Sequence, residues 1–117
     1  MKIQKIMELL DARVLCGEEN LNGEVHSACG CDMMSDVLAF VKDQAVLLTG
    51  LCNPQVVRTA MMMDMRCIVF VRGKVPTKEV IDLARDAGIV VLATDMRMYV
   101  ACGTLYVQGL HGGEFCK

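Results

Sequence analysis

The stretch from residue 45 to residue 93 decides the fold. It reads AVLLTGLCNPQVVRTAMMMDMRCIVFVRGKVPTKEVIDLARDAGIVVLA. Three runs within it, at residues 45–48, 67–71 and 89–93, are continuously apolar. Because these runs do not alternate between polar and apolar residues, they predict strands that are buried on both faces. This pattern is typical of a parallel sheet covered by helices.

The segments between the apolar runs carry the signals of helices. Asn53 followed by Pro54 predicts a helix start, because Asn caps the first turn and Pro fits the first helical position. Pro76 and Thr77 predict the start of the next helix, and Gly88 is expected to end it. A last helix is predicted over residues 96–108, with its end at Gly109. The strands and helices therefore alternate regularly from residue 45 onward.

The first quarter of the chain predicts a helix followed by a small β region. Apolar residues recur at helical spacing over the first dozen residues. Short extended segments are predicted at residues 13–16 and 25–31, separated by the turn signal Asn22-Gly23. Ser35 is predicted to cap a short helix over residues 36–41. The chain is predicted to form one three-layer α/β domain, with a mostly parallel sheet covered by helices. Residues 1–32 hold the first helix and the small β region, residues 33–110 form the regular core, and residues 111–117 form a flexible tail.

Composition excludes several classes of function. The 117 residues are 54% hydrophobic and carry a net charge of −2. The chain therefore lacks the excess of positive charge that is typical of proteins that bind DNA or RNA. The apolar runs are far shorter than the ~20 residues of a membrane-spanning helix. Lys2, Lys5 and Glu8 interrupt the amino-terminal residues, so no signal peptide is expected. We therefore expect a cytoplasmic protein that binds neither nucleic acid nor membrane.

The cysteines leave a thiol or metal role open. The chain has seven, and Cys29-Gly30-Cys31 is the only close pair. A structural metal site usually needs four ligands, whereas this pair has only His26 and Asp32 near it in the sequence. Small residues in a tight backbone passage are the more ordinary interpretation. The spacing alone does not show whether Asp32, Asp36 and Asp95 converge.

No catalytic motif is present in the sequence. Neither a phosphate-binding loop of the G-x-x-x-x-G-K-[ST] type nor a dinucleotide fingerprint occurs, so no cofactor is expected. The two histidines, His26 and His111, form no persuasive triad with a nucleophile. The stripe of Tyr99, Cys102 and Tyr106 in the last predicted helix indicates core or a dimer face. Gly103, in the same helix, predicts close packing against another backbone.

Polar residues at the ends of the predicted strands mark the expected binding site. In open parallel α/β sheets, ligands bind outside the carboxyl ends of the strands. Those ends are Thr49-Gly50, Arg72-Gly73 and Thr94-Asp95, and a helix start follows the first of them. Ordinary turn residues would also produce such a pattern. The predicted contacts to a small anionic metabolite or nucleotide are Ser35, Asp36, Thr49, Gly50, Asn53, Arg72, Gly73 and Thr94.

Four stretches of the chain are distinctive: MSDVLA at residues 34–39, LLTG at 47–50, CIVFVRG at 67–73 and ACGTLY at 101–106. They resemble the DRTGG domain, in particular its stand-alone bacterial form. Residues 3–25 are similar to the leading helix and the β turn of the family. The letters DRTGG do not themselves occur, and Thr49-Gly50 corresponds to part of them.

The resemblance implies a regulatory module of α/β fold that is usually dimeric. The DRTGG domain is similar to the amino-terminal domain of HPr kinase/phosphorylase. Because this sequence lacks the P-loop half of that enzyme, kinase activity is not expected. We expect a non-catalytic, ligand-sensing homodimer. Two alternatives stay open: an accessory protein for a redox enzyme such as an iron hydrogenase, docking through residues 61–65 or the last helix, and a thiol or metal protein using Cys29 and Cys31.

Overall fold

A five-stranded sheet with helices on both faces forms the framework. The computed structural model describes residues 1–40 and 44–112. The strands are β1 (Arg13–Cys16), β2 (Ser27–Gly30), β3 (Ala45–Thr49), β4 (Cys67–Phe70) and β5 (Val90–Ala93). The helices are α1 (Ile3–Leu9), α2 (Met34–Phe40), α3 (Pro54–Met62), α4 (Lys78–Asp86) and α5 (Met98–Val107). A short 3-10 turn at Glu18–Asn20 follows β1.

The strand order is β1-β5-β4-β3-β2, and it confirms the predicted α/β class with a mostly parallel sheet. Strands β2 to β5 are parallel and lie side by side in chain order. Strand β1 pairs with β5 in the antiparallel direction and forms one edge. The two elements of the predicted β region thus separate: β1 borders one side of the sheet, and β2 borders the other.

The order of the parallel strands determines which face each helix covers. Successive right-handed crossovers that advance in one direction leave their helices on one face of a sheet. Helices α2, α3 and α4 accordingly pack on the first face, around Phe70, Leu47 and Ile68. Helices α1 and α5 cover the second face, around Leu48 and Leu92. The apolar strand residues therefore alternate between two cores, as a sheet covered on both sides requires.

Most of the predicted helix ends are correct. Asn53 caps α3, its side-chain oxygen accepting a hydrogen bond from the Gln55 N–H at 2.9 Å. Gly88 and Gly109 follow α4 and α5 with φ angles of 74° and 101°, the left-handed conformation that glycine adopts most easily. The start of α2 differs from the prediction, because the helix begins at Met34 and Ser35 lies inside its first turn.

The last helix differs from the prediction in two respects. It begins at Met98 and not at residue 96, with Arg97 as its N-cap. Gly103 does not pack against another backbone, since a Cβ atom there would meet nothing within 4 Å in the described part of the chain. Its exposed position places it on the outer side of α5. The glycine therefore has no close packing contact among the described residues.

The residues that follow α5 cover the outer edge of β2. The His111 carbonyl accepts a hydrogen bond from the Ala28 N–H at 2.9 Å, and the His111 ring lies 4.3 Å from that of Tyr106. These contacts involve the first residue of the predicted flexible tail over 111–117, whose residues 113–117 lie outside the described residues. Residue 41 of the predicted second helix also lies outside them. Among the residues described, no helix has the length and apolar character needed to cross a membrane.

Candidate functional site

The carboxyl ends of the parallel strands bring several predicted residues to one edge of the sheet. Thr49 pairs with Phe70 in the register of β3 and β4, and Phe70 pairs with Ala93 of β5. The three strand ends therefore stand side by side, as the sequence predicted. The segment after β2 joins them, because the Cys31 N–H donates to the Leu48 carbonyl at 3.0 Å.

The loops that follow β4 and β5 leave this edge toward opposite faces of the sheet. The loop after β4 leads to α4 on the first face, whereas the loop after β5 leads to α5 on the second. The Arg72 N–H donates to the Met96 carbonyl at 2.8 Å, and the Gly73 N–H donates to the Thr94 carbonyl at 3.0 Å. These bonds join the two loops. Ligands of parallel α/β sheets commonly bind where neighbouring loops diverge in this way.

Asp32 organises the part of the edge that follows β2 and β3. Its Oδ1 atom accepts hydrogen bonds from the Gly50 N–H at 2.8 Å and from the Thr49 hydroxyl at 2.9 Å. The Gly50 bond is the largest of the effects that lower the pKa of this carboxyl, with smaller contributions from Thr49 and the Arg72 charge and with burial opposing them. Asp32 is therefore a fixed carboxylate that ties the segment after β2 to the end of β3.

Arg72 reaches across the edge toward Asp32. Its Nη2 atom lies 3.7 Å from Asp32 Oδ2, and both side chains are nearly half exposed. The guanidinium lies over Gly50, in the space that a Cβ atom of residue 50 would occupy. The backbone of Arg72 has a φ angle of 63°, a left-handed conformation that is uncommon for residues other than glycine. A strained backbone position thus presents an exposed guanidinium that is held at one end by a carboxylate.

Charges of both signs meet around this guanidinium. The charges of Lys74 and Arg72 both act to lower the pKa of the Cys52 thiol, although burial of that thiol has the larger effect and raises its pKa. Both cations therefore lie near the segment that follows β3. Asp95 stands on the other side, its Oδ1 atom 3.4 Å from where a Cβ atom of Gly73 would be. Two cations and two carboxylates together suit a ligand that carries both anionic and hydroxyl groups.

Asp32, Lys74 and Asp95 are absent from the predicted set of contacts. Asp32 directly follows the second predicted extended segment. This position at the end of a possible strand is the sequence feature that could have identified it as a site residue. Short segments of small residues are weak predictors of strands, so the end of β2 at Gly30, just before Asp32, was not evident from the sequence. Lys74 follows the Arg72-Gly73 pair in the same loop, and no sequence signal separates it from other exposed lysines.

Three of the predicted contacts lie at the starts of helices. Ser35 and Asp36 are exposed in the first turn of α2, shortly after Asp32 in the chain. Asn53 is partly exposed, and its side-chain oxygen is occupied in capping α3. Because Pro54 has no N–H and the Asn53 oxygen binds the Gln55 N–H, the start of α3 offers few free donors. None of the three makes a described contact with Arg72.

Thr94 belongs to the opposite face of the sheet. Its side chain is buried, and its hydroxyl donates to the Leu10 carbonyl at 2.7 Å. The same oxygen accepts a hydrogen bond from the Met96 N–H at 3.2 Å. These bonds fasten the end of α1 to the loop after β5. The structure therefore does not bring the Thr94 side chain together with Arg72 and Gly50.

The cysteines do not assemble into a metal centre among the described residues. No group of three or more His, Cys, Asp or Glu side chains there is placed to hold a metal ion. None of the six described cysteines forms a disulfide. The Cys31 sulfur instead contacts the Met33 backbone, accepting from its N–H at 3.3 Å and lying 3.4 Å from its carbonyl. This contact supports the interpretation of Cys31 as a residue of a tight backbone turn.

A hollow lies at the other edge of the sheet. It has a volume of about 520 Å³ and is bordered by the loop after β1, the residues before β4 and the residues before β5. Asp64 and Arg66 are its charged residues on the β4 side. Some backbone groups of the loop after β1 bond within the loop, as in the bond from the Gly23 N–H to the Asn20 carbonyl at 3.0 Å. Others bond to the start of α1, as in the bond from the Ile3 N–H to the Gly23 carbonyl at 2.9 Å. The sequence predicts only a turn in this loop, at Asn22-Gly23.

Comparison with solved structures finds the same fold in a regulatory protein. One similar structure is that of the CBS and DRTGG domains of the regulatory region of Clostridium perfringens pyrophosphatase, in complex with its activator diadenosine tetraphosphate. The TM-score is 0.72 at 19% sequence identity. The match covers 99% of this chain and 50% of that chain, so the present chain spans half of the length of its structural relative.

Comparison of the sequence with family models identifies the family. A comparison with curated protein sequences gives no match. The model of the DRTGG domain matches residues 5–105, which is well over half of the chain. This match confirms the resemblance that the sequence stretches after β2 indicated. The chain belongs to the DRTGG domain family.

Proposed function

We propose that this chain is a non-catalytic regulatory module that binds a nucleotide or a related small anionic metabolite and acts as a homodimer. The binding site would be the carboxyl edge of the sheet, around Arg72 and Gly50. The observation that carries the proposal is the position of the Arg72 guanidinium, which a carboxylate holds over a glycine at the strand ends. An arginine in this setting is suited to bind phosphate oxygens through two parallel hydrogen bonds.

The mixed charge of the edge favours a nucleotide over a simple anion. Arg72 and Lys74 would bind phosphate groups, while the carboxylates of Asp32 and Asp95 can accept hydrogen bonds from the hydroxyl groups of a ribose. A bare phosphate would use the cations alone and would be repelled by the carboxylates. The regulatory region that shares this fold is activated by diadenosine tetraphosphate, which makes adenine nucleotides the first compounds to test.

Binding can be tested by thermal unfolding under reducing conditions. The compounds to test are diadenosine tetraphosphate, ATP and ADP. Adenosine and inorganic phosphate are tested beside them, because each carries only the nucleoside or only the phosphate part of a nucleotide. A ligand at 100 times its Kd adds about 2.7 kcal/mol to the folded state. In a domain of this size that raises the midpoint by several degrees. We expect a shift with at least one nucleotide and a smaller shift with adenosine or phosphate.

A matched pair of variants tests the place of binding. Arg72→Ala removes the guanidinium at the strand ends and is expected to weaken nucleotide binding several-fold or more while the protein stays folded. Arg58→Ala removes the same charge from an exposed position of α3 and serves as the control. Equal affinity of the wild type and Arg72→Ala in isothermal titration calorimetry would show that the site lies elsewhere, with the hollow near Arg66 as the next region to map.

Exposed methionines favour the second candidate function. Met61 and Met62 stand out from the end of α3, and adaptable methionine surfaces are common at protein docking sites. An accessory protein for a redox enzyme would use this surface for its partner. The absence of any midpoint shift across the nucleotide panel would favour this candidate, and affinity purification from the native host would then identify the partner.

A further inference from the structure

The outer side of α5 is apolar, unlike that of the other helix on the same face. The exposed residues of α1 include Lys5 and Glu8, which is ordinary for a surface helix. Helix α5 has no charged residue between Met98 and Val107. Its inner side already packs on the sheet through Ala101 and Leu105. A helix that is apolar on both sides is expected to be covered on both sides.

Four large side chains form a stripe on this outer side that is mostly exposed among the described residues. Tyr99 is 90% exposed, Val100 52%, Tyr106 62% and Val107 77%. Gly103 is the fifth member, exposed at the centre of the stripe. The spacing of these five positions keeps them on one side of a helix. The stripe therefore runs the length of α5, with its smallest residue in the middle.

The stripe is complementary to itself. Consider two antiparallel α5 helices related by a two-fold axis at Gly103. A residue that lies a given number of positions before residue 103 in one chain then faces the residue that lies the same number of positions after it in the other chain. Val100 of one chain then meets Tyr106 of the other, and Tyr99 meets Val107. Each tyrosine is paired with a valine, and the glycine at the crossing allows the two backbones to approach closely. This self-complementarity is what a two-fold symmetric interface requires.

From this pattern we infer that α5 is the interface between two copies of this chain, joined antiparallel with Gly103 at the crossing point. The inference rests on the homodimer of the proposed function and names its surface. Electrostatics support the arrangement: antiparallel helix dipoles attract, and Arg97 at the start of one α5 would lie near the carboxyl end of the other. The uncharged stripe brings no like charges together.

The size of the stripe is sufficient for a modest interface. A fully buried aromatic side chain contributes about 200 Å², so the exposed parts of the two tyrosines offer roughly 300 Å² per chain. Two chains would bury roughly 600 Å² from tyrosines alone. The two valines and the residues around the stripe would bring the total toward the ~1,000 Å² that a specific interface needs. We expect a dimer of moderate affinity.

Paired charge substitutions test both the surface and its register. Tyr99→Glu adds a negative charge near the start of α5 and Val107→Lys a positive charge near its end, and each suits the dipole of the single helix. In the dimer each would bury an unpaired charge, and we expect the dissociation constant to rise about tenfold or more. The double variant places the introduced carboxylate of one chain against the introduced ammonium of the other. We expect it to restore much of the lost affinity.

Sedimentation velocity over a range of concentrations gives the readout. The wild type is expected to change from 12.8 kDa to twice that mass. Gln4→Lys and Gln4→Glu, on the exposed side of α1, are the controls and should leave the dimer intact. Wild-type protein that stays monomeric overturns the inference, and a midpoint shift with nucleotide would still uphold ligand sensing. A dimer that the single variants do not weaken places the interface elsewhere and leaves the homodimer standing.

Disulfide trapping supplies a second test that does not depend on charge. An equal mixture of Tyr99→Cys and Val107→Cys proteins should give a 99–107 cross-link on mild oxidation, identified by peptide mapping. Neither variant alone should link through its new cysteine, because identical positions lie eight residues apart along the antiparallel pair, about 12 Å. Links between identical positions, or no link above that of the wild type, would contradict the proposed register.

Discussion

The Arg72 guanidinium lies in the space where a Cβ atom of residue 50 would stand, and its Nη2 atom ends 3.7 Å from Asp32. The side chain can cross the strand ends because residue 50 is a glycine. Three neighbouring strands thereby contribute to one arrangement: the segment after β2 supplies Asp32, the end of β3 supplies Gly50, and the end of β4 supplies Arg72. A change at any of the three positions should alter the position of the guanidinium.

Gly50→Ala should displace Arg72 without unfolding the protein. The added methyl group would collide with the guanidinium, which can swing away because it is the exposed end of a flexible side chain. We expect a loss of stability of at most about 1 kcal/mol, the value of an exposed ion pair, and a several-fold weaker affinity for any nucleotide that binds. Urea unfolding and calorimetry would measure the two effects.

Gly103→Ala is the matched control for the change at residue 50, because a Cβ atom at position 103 meets nothing within 4 Å. We expect this variant to keep nucleotide affinity. At protein concentrations below the dissociation constant of the proposed dimer it should unfold at slightly higher urea, since alanine favours helix by up to about 1 kcal/mol over glycine. Equal nucleotide affinity of Gly50→Ala and Gly103→Ala would show that the guanidinium does not need its observed position.

Arg72→Gly and Arg72→Ala should separate the side chain of Arg72 from its backbone strain. Both remove the guanidinium, so both should bind nucleotide equally weakly. The backbone at φ 63° costs a residue with a Cβ atom about 1–2 kcal/mol, whereas glycine adopts it freely. Arg72→Gly should therefore be more stable than Arg72→Ala by about 1 kcal/mol in urea unfolding. Equal stability of the two would mean that residue 72 carries no strain in the folded protein.

The core of the fold was predictable because its signals are local. The apolar runs of β3, β4 and β5, the Asn53 cap and the glycines after α4 and α5 each depend on a few adjacent residues. The placement of β1 and β2 at opposite edges was not predictable, since four-residue strands carry little pattern and their partners are distant in the chain. Strand β1 pairs with β5, more than seventy residues later.

The candidate site was predictable only in part, for reasons that concern side-chain direction. Thr49 and Thr94 both end apolar runs, yet Thr49 contacts Asp32 whereas Thr94 contacts Leu10 on the other face. When both faces of a strand are buried, the sequence does not show to which face its last residue belongs. The left-handed conformation of Arg72 was hidden too, because the glycine that follows it was the expected position for such a φ angle.

Thr94→Val should destabilise the protein and leave nucleotide binding unchanged. The Thr94 hydroxyl is buried and bonded to the Leu10 carbonyl and the Met96 N–H, and valine would leave both groups without this partner. We expect a loss of about 1–3 kcal/mol in urea unfolding. Thr104→Val, on the more exposed α5, is the control and should lose less. A nucleotide affinity that falls with Thr94→Val would return this residue to the binding site.

Asp32 should make stability depend on pH in the acid range. Its pKa is lowered in the folded protein, chiefly by the Gly50 N–H bond, so the folded state holds the ionised form more firmly than the unfolded state does. The resulting stability is fully present above the ordinary aspartate pKa of about 3.9 and is lost as pH falls through the lower folded value. Because the carboxyl is nearly half exposed, we expect the contribution to remain below about 1 kcal/mol.

The Asp32→Asn variant isolates this contribution from the other carboxyl groups. The difference in unfolding free energy between wild type and variant should be constant from pH 7 to about pH 5 and should shrink below about pH 4. Asp36→Asn, which removes an exposed charge from the first turn of α2, is the matched control. A difference that stays constant down to pH 2.5, or that grows on acidification, would mean that the ionised Asp32 carboxylate does not hold the strand ends together.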